Sequence, residues 1–412
     1  MAIKKIKLSN FKSFRDMEIN LGKFNVLIGA NASGKSNFIQ IFRFLKDIKN
    51  FGLDNAISMQ GGIEYLRNMN IGSSDNFSLE VISDQVYMRP FMAKKPEKKF
   101  IRAGVYETIY NFTIKFRKRG LGVETEEQIV QKFNIEVQQE RIGKEKKKEI
   151  GEITISKING KINVVPSKLP NEISTDDIIP PFLTIEQNKQ KSLLLERVTS
   201  FIMPPIFSDI SIYDFDPKII KRATPITGKA ELEEDGSNLA IILKNIIENK
   251  ENKRKFFNLV QDLLPFVDNL NVEKFVDKSL FFKLKETYSK KEYLPASLIS
   301  DGTVNIIALI IALYFEKKPI TIIEEPERNI HPYLISKVVE MMKDVTTQVI
   351  VTTHNPEIVK HAGLENILLI SRDKNGFSVI SKPQEKEDVK IFLENELGIE
   401  ELYVQNLLGS NI

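Results

Sequence analysis

The chain has 412 residues, sets 59 lysines and arginines against 55 aspartates and glutamates, and carries a net charge of +4. That length holds two or three domain-sized units, and so small a charge demands no nucleic-acid partner, although local basic patches permit one. The absence of cysteine excludes disulfides, thiolate metal sites and a cysteine nucleophile, and three histidines (His331, His354 and His361) speak against a multi-histidine zinc centre.

The N-terminal MAIKKIKLSNFKSF is basic but lacks the apolar core and small-residue cleavage site of a signal peptide. KKIKLSNF and MEINL alternate like the two strands of a hairpin, and FNVLIG reads as a buried strand. A glycine turn follows, then apolar residues at helical spacing over Ser36–Lys49. Strand, turn and helix in that order open an α/β unit.

The middle of the chain differs. Phe77–Val86, Val105–Phe116, Phe133–Val137 and Ile153–Val165 are strand-like runs separated by charged turns, the pattern of an antiparallel insertion with a solvated, lysine-rich edge. The basic turns Arg117–Gly120 and Lys144–Lys148 are candidates for touching DNA or a partner, with solvated surface as the plainer reading. Helical patterns return at Leu193–Phe201 and Asn238–Val267.

The last third restores the α/β rhythm. It shows a helix after Gly302, strand Ile320–Ile323, helix Leu334–Met342, strand Gln348–Thr352, and further strands at Ile367–Ile370 and Phe377–Ile380. The most apolar segment, Val304–Phe315, is shorter than the roughly 20 residues that span a bilayer, so it reads as a buried helix. The expectation is a cytoplasmic protein with no membrane partner. No fixed-period repeat and no heptad arm is present. The expected division is an N-terminal lobe over 1–90, an insertion over 91–290 that is β-rich and then helical, and a C-terminal lobe over 291–412.

Three motifs carry chemistry. Gly29-Ala-Asn-Ala-Ser-Gly34-Lys35-Ser36 matches the P-loop pattern in full. Its glycines let backbone N–H groups turn toward phosphate oxygens, and the following helix aims its positive end at them. Lys35 is placed to reach the β- and γ-phosphates of ATP, and the Ser36 hydroxyl to ligate Mg²⁺. Next, Ile320-Thr-Ile-Ile-Glu324-Glu325-Pro326 is a buried strand ending in two carboxylates, costly unless they hold a cation or move a proton. Glu324 is the candidate Mg²⁺ ligand and Glu325 the candidate general base. Without a P-loop, a solvated acidic turn would be the better reading. Finally, Val349-Ile-Val-Thr-Thr-His354-Asn355-Pro356 places a histidine after an apolar strand. If that strand neighbours the carboxylate strand in a parallel sheet, His354 lies at the ligand-binding end and can sense the γ-phosphate.

Together the P-loop, the Ser300-Asp301-Gly302 segment, the double-acid strand and the THNP strand end resemble the head of ABC-type ATPases. NFKSF and GANASGKSN resemble the branch that contains RecF, SMC proteins, the overcoming-lysogenization-defect (OLD) nucleases and stand-alone bacterial or archaeal AAA-family relatives. ISIYDFDP, EEDGSNLA, EEPERNIHP and ELYVQNLLGS are similar to segments of those stand-alone ATPases. The resemblance implies an α/β, ABC-type P-loop NTPase head with a mixed β-sheet and a β-rich plus helical insertion between Walker A and the signature motif. It implies that Ser300, Asp301 and Gly302 form the signature segment, Glu324 and Glu325 the Walker B pair, His354 the switch histidine and Glu327–His331 the D-loop region. It adds Asn31, Ala32, Ser33 and Asn37 to the nucleotide loop, with Lys12 and Ser13 beside it.

In such a family two heads meet head-to-tail, each signature segment capping the phosphate held by the other. A homodimer or higher oligomer is therefore expected, with a separately encoded effector such as a nuclease and possible DNA as further partners. The sequence departs from the pattern at Thr303, where Gln or Glu is usual, and at Glu324, where most ABC ATPases carry Asp. Gln60, Gln85 and Gln187 all remain candidates for the Q-loop. About sixty residues follow His354-Asn355-Pro356 and hold no Asp-x-Asp cluster, which disfavours a nuclease centre there. The expected function is an ATP-driven dimerising switch in phage defence or DNA repair. The alternatives are a transporter's nucleotide-binding subunit and a RecF-like DNA-binding repair factor.

Overall fold

The computed structural model describes residues 2–73, 75–92, 100–116, 123–137, 148–169, 193–197, 207, 209–226, 229–276, 278–395 and 397–408. The basic turn Arg117–Gly120, most of Lys144–Lys148, the end of Leu193–Phe201 and Gln187 lie outside the described residues. Strands follow in chain order as β1 (Lys5–Phe11), β2 (Phe14–Asn20), β3 (Phe24–Ile28), β4 (Phe77–Ser83), β5 (Tyr87–Met92), β6 (Phe100–Phe116), β7 (Val123–Val137), β8 (Lys148–Ile158) and β9 (Lys161–Lys168). The series continues with β10 (Ile210–Tyr213), β11 (Thr224–Pro225), β12 (Val267–Phe275), β13 (Ser279–Glu286), β14 (Leu294–Pro295), β15 (Ile320–Glu324), β16 (Gln348–Thr352), β17 (Ile367–Arg372) and β18 (Ser378–Ser381).

Three sheets organise them. The central sheet runs β10-β15-β16-β3-β17-β18. Its first five strands are parallel, and β18 returns antiparallel beside β17. FNVLI and QVIVT are buried at every position, as strands covered on both faces must be. An eight-stranded antiparallel sheet runs β2-β1-β4-β6-β7-β8-β9 with β5 on β6, and a small sheet joins β11, β13, β12 and β14. This is the expected α/β P-loop head with a β-rich insertion. Ile210–Tyr213, which lies within the span expected as insertion, forms the outer strand of the central sheet. Ile153–Val165, read as one strand-like run, is a hairpin: Asn159 and Gly160 turn at φ 51° and 79° between β8 and β9. Two left-handed residues in a row are what a tight hairpin turn needs.

Helices flank the central sheet. Lys35–Phe51 follows the P-loop and buries its Phe and Ile face. Asp301–Tyr314 is buried from Thr303 to Leu313 on all sides, which accounts for its unbroken aliphatic run. No described helix is long and apolar enough to cross a membrane.

Candidate nucleotide site

The parallel register does the assembling. Glu324 pairs with Thr352, and Thr352 pairs with Leu27, so β15, β16 and β3 end at one level. The carboxylate pair, His354 and the P-loop therefore emerge side by side. Tyr213 pairs with Ile323, which brings Asp214 to the same edge.

The P-loop is held from behind. Gly29 follows β3 at a point where a Cβ would collide with the Ile370 carbonyl. Gly34 has φ 121°, and a Cβ there would run into the hydroxyls of Ser378 and Ser13. Ser378 Oγ lies 2.5 Å from the Ser33 carbonyl oxygen and 2.8 Å from Ser13 Oγ. Asn37 Nδ2 donates to Ser13 Oγ at 2.8 Å, so the turn between β1 and β2 is tied to the first turn of the helix. Arg372 donates from Nε and Nη2 to the Ala32 carbonyl at 3.0 and 2.9 Å. Asn31, Ala32 and Ser36 are exposed on the loop rim, while Ser33 is buried and its Oγ has no hydrogen-bond partner among the described residues. Lys12 sits left-handed at φ 48° in the hairpin turn, half-buried, with Nζ 3.5 Å from the Tyr65 carbonyl.

Charges converge in front of the loop. Lys35 Nζ donates to the Gly29 and Ala30 carbonyls at 2.8 and 3.0 Å. Burial pushes its ammonium below the ordinary lysine value, with the Glu325 carboxylate pulling the other way. His354 is pushed below the ordinary histidine value first by burial, then by Lys35, against Glu325. The three groups thus lie within electrostatic reach of one another, and both burial and Lys35 disfavour the charged form of His354. Burial raises Glu324 above the usual carboxylate range, and Asp214 and Glu234 push the same way against Arg43. Arg43, on the P-loop helix, pairs with Glu234 at 2.7 Å. Glu325 takes a left-handed φ of 46°, uncommon for a residue with a side chain, while its N–H donates to the Thr352 carbonyl at 2.9 Å. Glu327 accepts from Thr353 Oγ1 at 2.5 Å, and burial raises its carboxyl above the usual range.

The Ser300 end of helix 301–314 is occupied otherwise. Ser300 Oγ accepts from the Thr303 N–H at 3.2 Å and lies 2.7 Å from Thr303 Oγ1. Thr303 thereby shares the capping of its own helix, a place where the related pattern has Gln or Glu. Asp301 pairs with Lys221, and Gly302 packs so closely on the Asn329 carbonyl that a Cβ would collide with it. The close contacts of Ser300–Gly302 go to these groups rather than to the P-loop of the same chain. Gln60 donates to Gln40 Oε1 at 3.2 Å, and the side-chain Oε1 atoms of Gln60 and Gln85 are buried without partners among the described residues.

The motifs gave Asp214, Arg372 and Ser378 no role, and took in Arg328 only as part of the Glu327–His331 segment. Asp214 and Arg328 fall inside ISIYDFDP and EEPERNIHP, whereas nothing local marks Arg372 or Ser378.

Residues 1–359 match the family model described as AAA ATPase domain. A stretch of 58 residues is 40% identical to Endonuclease GajA of Bacillus cereus strain VD045, covering 14% of this chain and 10% of that protein's length. Among solved structures, an SMC head bound to the C-winged helix domain of ScpA aligns with TM-score 0.48 and 15% identity, over 92% of this chain and 98% of that one. The SMC head domain from Thermotoga maritima aligns with TM-score 0.40 and 16% identity, over 93% and 99%.

Proposed function

The chain belongs to the AAA ATPase domain family, and from that premise we propose that it binds and hydrolyses ATP with Mg²⁺ at a site completed by a second copy of itself. The observation that carries this reading is a split. The central sheet gathers the P-loop, Glu324, Glu325 and His354 at one edge, while the Ser300 segment of the same chain turns to other partners. A head-to-tail pair brings the Ser300–Gly302 end of one protomer over the P-loop of the other.

Each residue has a task in that pair. Gly29, Asn31, Ala32, Ser33 and Gly34 present the loop backbone to phosphate oxygens, and Lys35 supplies the positive charge. Ser13 and Asn37 hold the hairpin turn against the loop, and Lys12 adds a positive charge in that turn. The donor types suit a hard divalent cation: a hydroxyl in the first turn of the P-loop helix and a carboxylate at the end of β15. Ser36 and Glu324 would hold Mg²⁺, which supplies neutralisation of phosphate charge when bound. Glu325 takes a proton from water as that water attacks the γ-phosphorus. The bond to the β–γ bridging oxygen breaks, ADP and phosphate leave, and the proton passes to the phosphate. His354, at the end of β16, offers a hydrogen bond to the γ-phosphate.

The segments 1–90 and 291–412, together with β10, form the nucleotide lobes in this reading, and the rest of 91–290 carries the surface that reports the nucleotide state. The likeness to part of an endonuclease supports a switch that controls a separately encoded effector nuclease, in phage defence or DNA repair. Glu325→Gln tests the core of the proposal. It should keep ATP binding, stall hydrolysis and accumulate ATP-bound dimers on a sizing column. An elution volume that ATP leaves unchanged would overturn head-to-tail assembly.

A further inference from the structure

The loop after β15 has a guanidinium at its centre. Arg328 Nη2 donates to Glu325 Oε2 at 3.0 Å, while Nη1 donates to Asp214 Oδ1 at 2.9 Å and to the Phe215 carbonyl at 3.2 Å. The backbone of Arg328 is held as well. Its N–H donates to the Glu325 carbonyl at 3.0 Å, and its carbonyl accepts from Asn305 Nδ2 at 2.7 Å. Asn305 is buried in helix 301–314, and the neighbouring Asn329 carbonyl sits on Gly302 of the same helix. Arg328 is therefore fixed by the outer strand end and by the helix that starts at Ser300.

Glu325 is the side chain that gains from this. A glutamate at a strand end can rotate among staggered wells, and most of them aim its carboxylate away from any one target. The guanidinium selects one arrangement by engaging Oε2, while Oε1 takes no hydrogen bond from the described residues. A planar fork reaching two carboxylates and a carbonyl is work for arginine, since an ammonium is a single point of charge.

We propose that Arg328, anchored on Asp214 and on helix 301–314, is a positioning residue for ATP hydrolysis that turns Glu325 Oε1 toward the attacking water. The inference rests on the reading of Glu325 as general base. It also gives the helix that begins at Ser300 a direct line to the base of its own protomer, through Asn305 and the Arg328 backbone.

Steady-state hydrolysis and equilibrium binding of a fluorescent ATP analogue test it. Because the ion pair is partly exposed, Arg328→Gln should lower kcat by about tenfold and leave analogue affinity within about twofold. Asp214→Asn should lower kcat less. The double variant should be no slower than Arg328→Gln, because Asp214 acts through Arg328. Arg328→Lys should recover part of kcat. Asp214 is exposed, so Asp214→Asn keeps the test decisive if Arg328→Gln does not fold. A parallel loss of affinity and thermal midpoint, or additive losses in the double variant, would show a structural role and overturn the inference. Unchanged kcat in Arg328→Gln, with Glu325→Gln stalled, also overturns it and leaves the reading of Glu325 standing. Full-rate hydrolysis by Glu325→Gln removes that reading and the inference with it.

Discussion

The helix over Lys35–Phe51 and the helix over Asp301–Tyr314 both begin on a polar turn, but their first turns are finished differently. The first starts at Gly34 with no side-chain cap and no acidic residue in its opening turn. The second is capped by Ser300, with Asp301 at its first position. An uncapped helix start leaves backbone donors and a positive end available to an anion, at a cost in stability that only a ligand recovers. A capped start has already satisfied part of that demand. In the proposed reading the P-loop helix therefore receives a phosphate outright. In the proposed head-to-tail pair the Ser300 helix would exchange an internal partner for an external one, which suits a part that engages late and reversibly.

Lys35→Ala should have the largest effect on that contrast. Calorimetric titration should show ATP binding weakened by about a hundredfold, since a charge-assisted contact to phosphate is lost. Affinity within twofold of the parent would mean that the open helix end alone holds the nucleotide. Next comes a mixture of two inactive variants, Ser300→Arg and Lys35→Ala. Random pairing leaves half the dimers with one sound site each, so recovery of roughly a quarter of the parent rate is expected for independent sites. No recovery, with heterodimers verified, would place the Ser300 helix outside the active site. The smallest effect is on stability without nucleotide. Ser300→Ala should cost about 1 kcal/mol in chemical denaturation through loss of a cap. Ser36→Ala, which removes no cap, should stay within about 0.5 kcal/mol. Equal losses would erase the distinction between the two helix starts.

What could be read in the amino-acid string was whatever is local. The P-loop, the hairpin of KKIKLSNF with MEINL, and the strand at Gln348–Thr352 each declare themselves within about a dozen residues, because spacing and turn chemistry suffice. The gathering of Glu325 and His354 beside Lys35 followed from parallel pairing, which the apolar strands suggested. The strand at Ile210–Tyr213 is as short and apolar as many buried segments, so nothing marked it as a member of the central sheet. The Asn-Gly turn that splits β8 from β9 was present in the string, but the surrounding Ile and Val alternation hid it. Ser378, Arg372, Asp214 and Arg328 act across long stretches of chain; the contact from Ser378 to Ser33 spans 345 positions. Gly302 reads as a helix-start glycine, and only the folded chain shows the Asn329 carbonyl pressed against it.

The place of β3 in the central sheet has a consequence for how the protein is made. Its neighbours on the two sides are β16 and β17, contributed by Gln348–Thr352 and Ile367–Arg372. A ribosome working at about 5–20 residues per second reaches those segments roughly 20–70 s after it has finished β3. Until then the P-loop strand has both hydrogen-bonding edges bare and the loop lacks the Arg372 and Ser378 braces. A nascent chain in this state is exposed to wrong strand pairing, and in the proposed reading ATP binding would report that synthesis has passed β18 and the central sheet has closed.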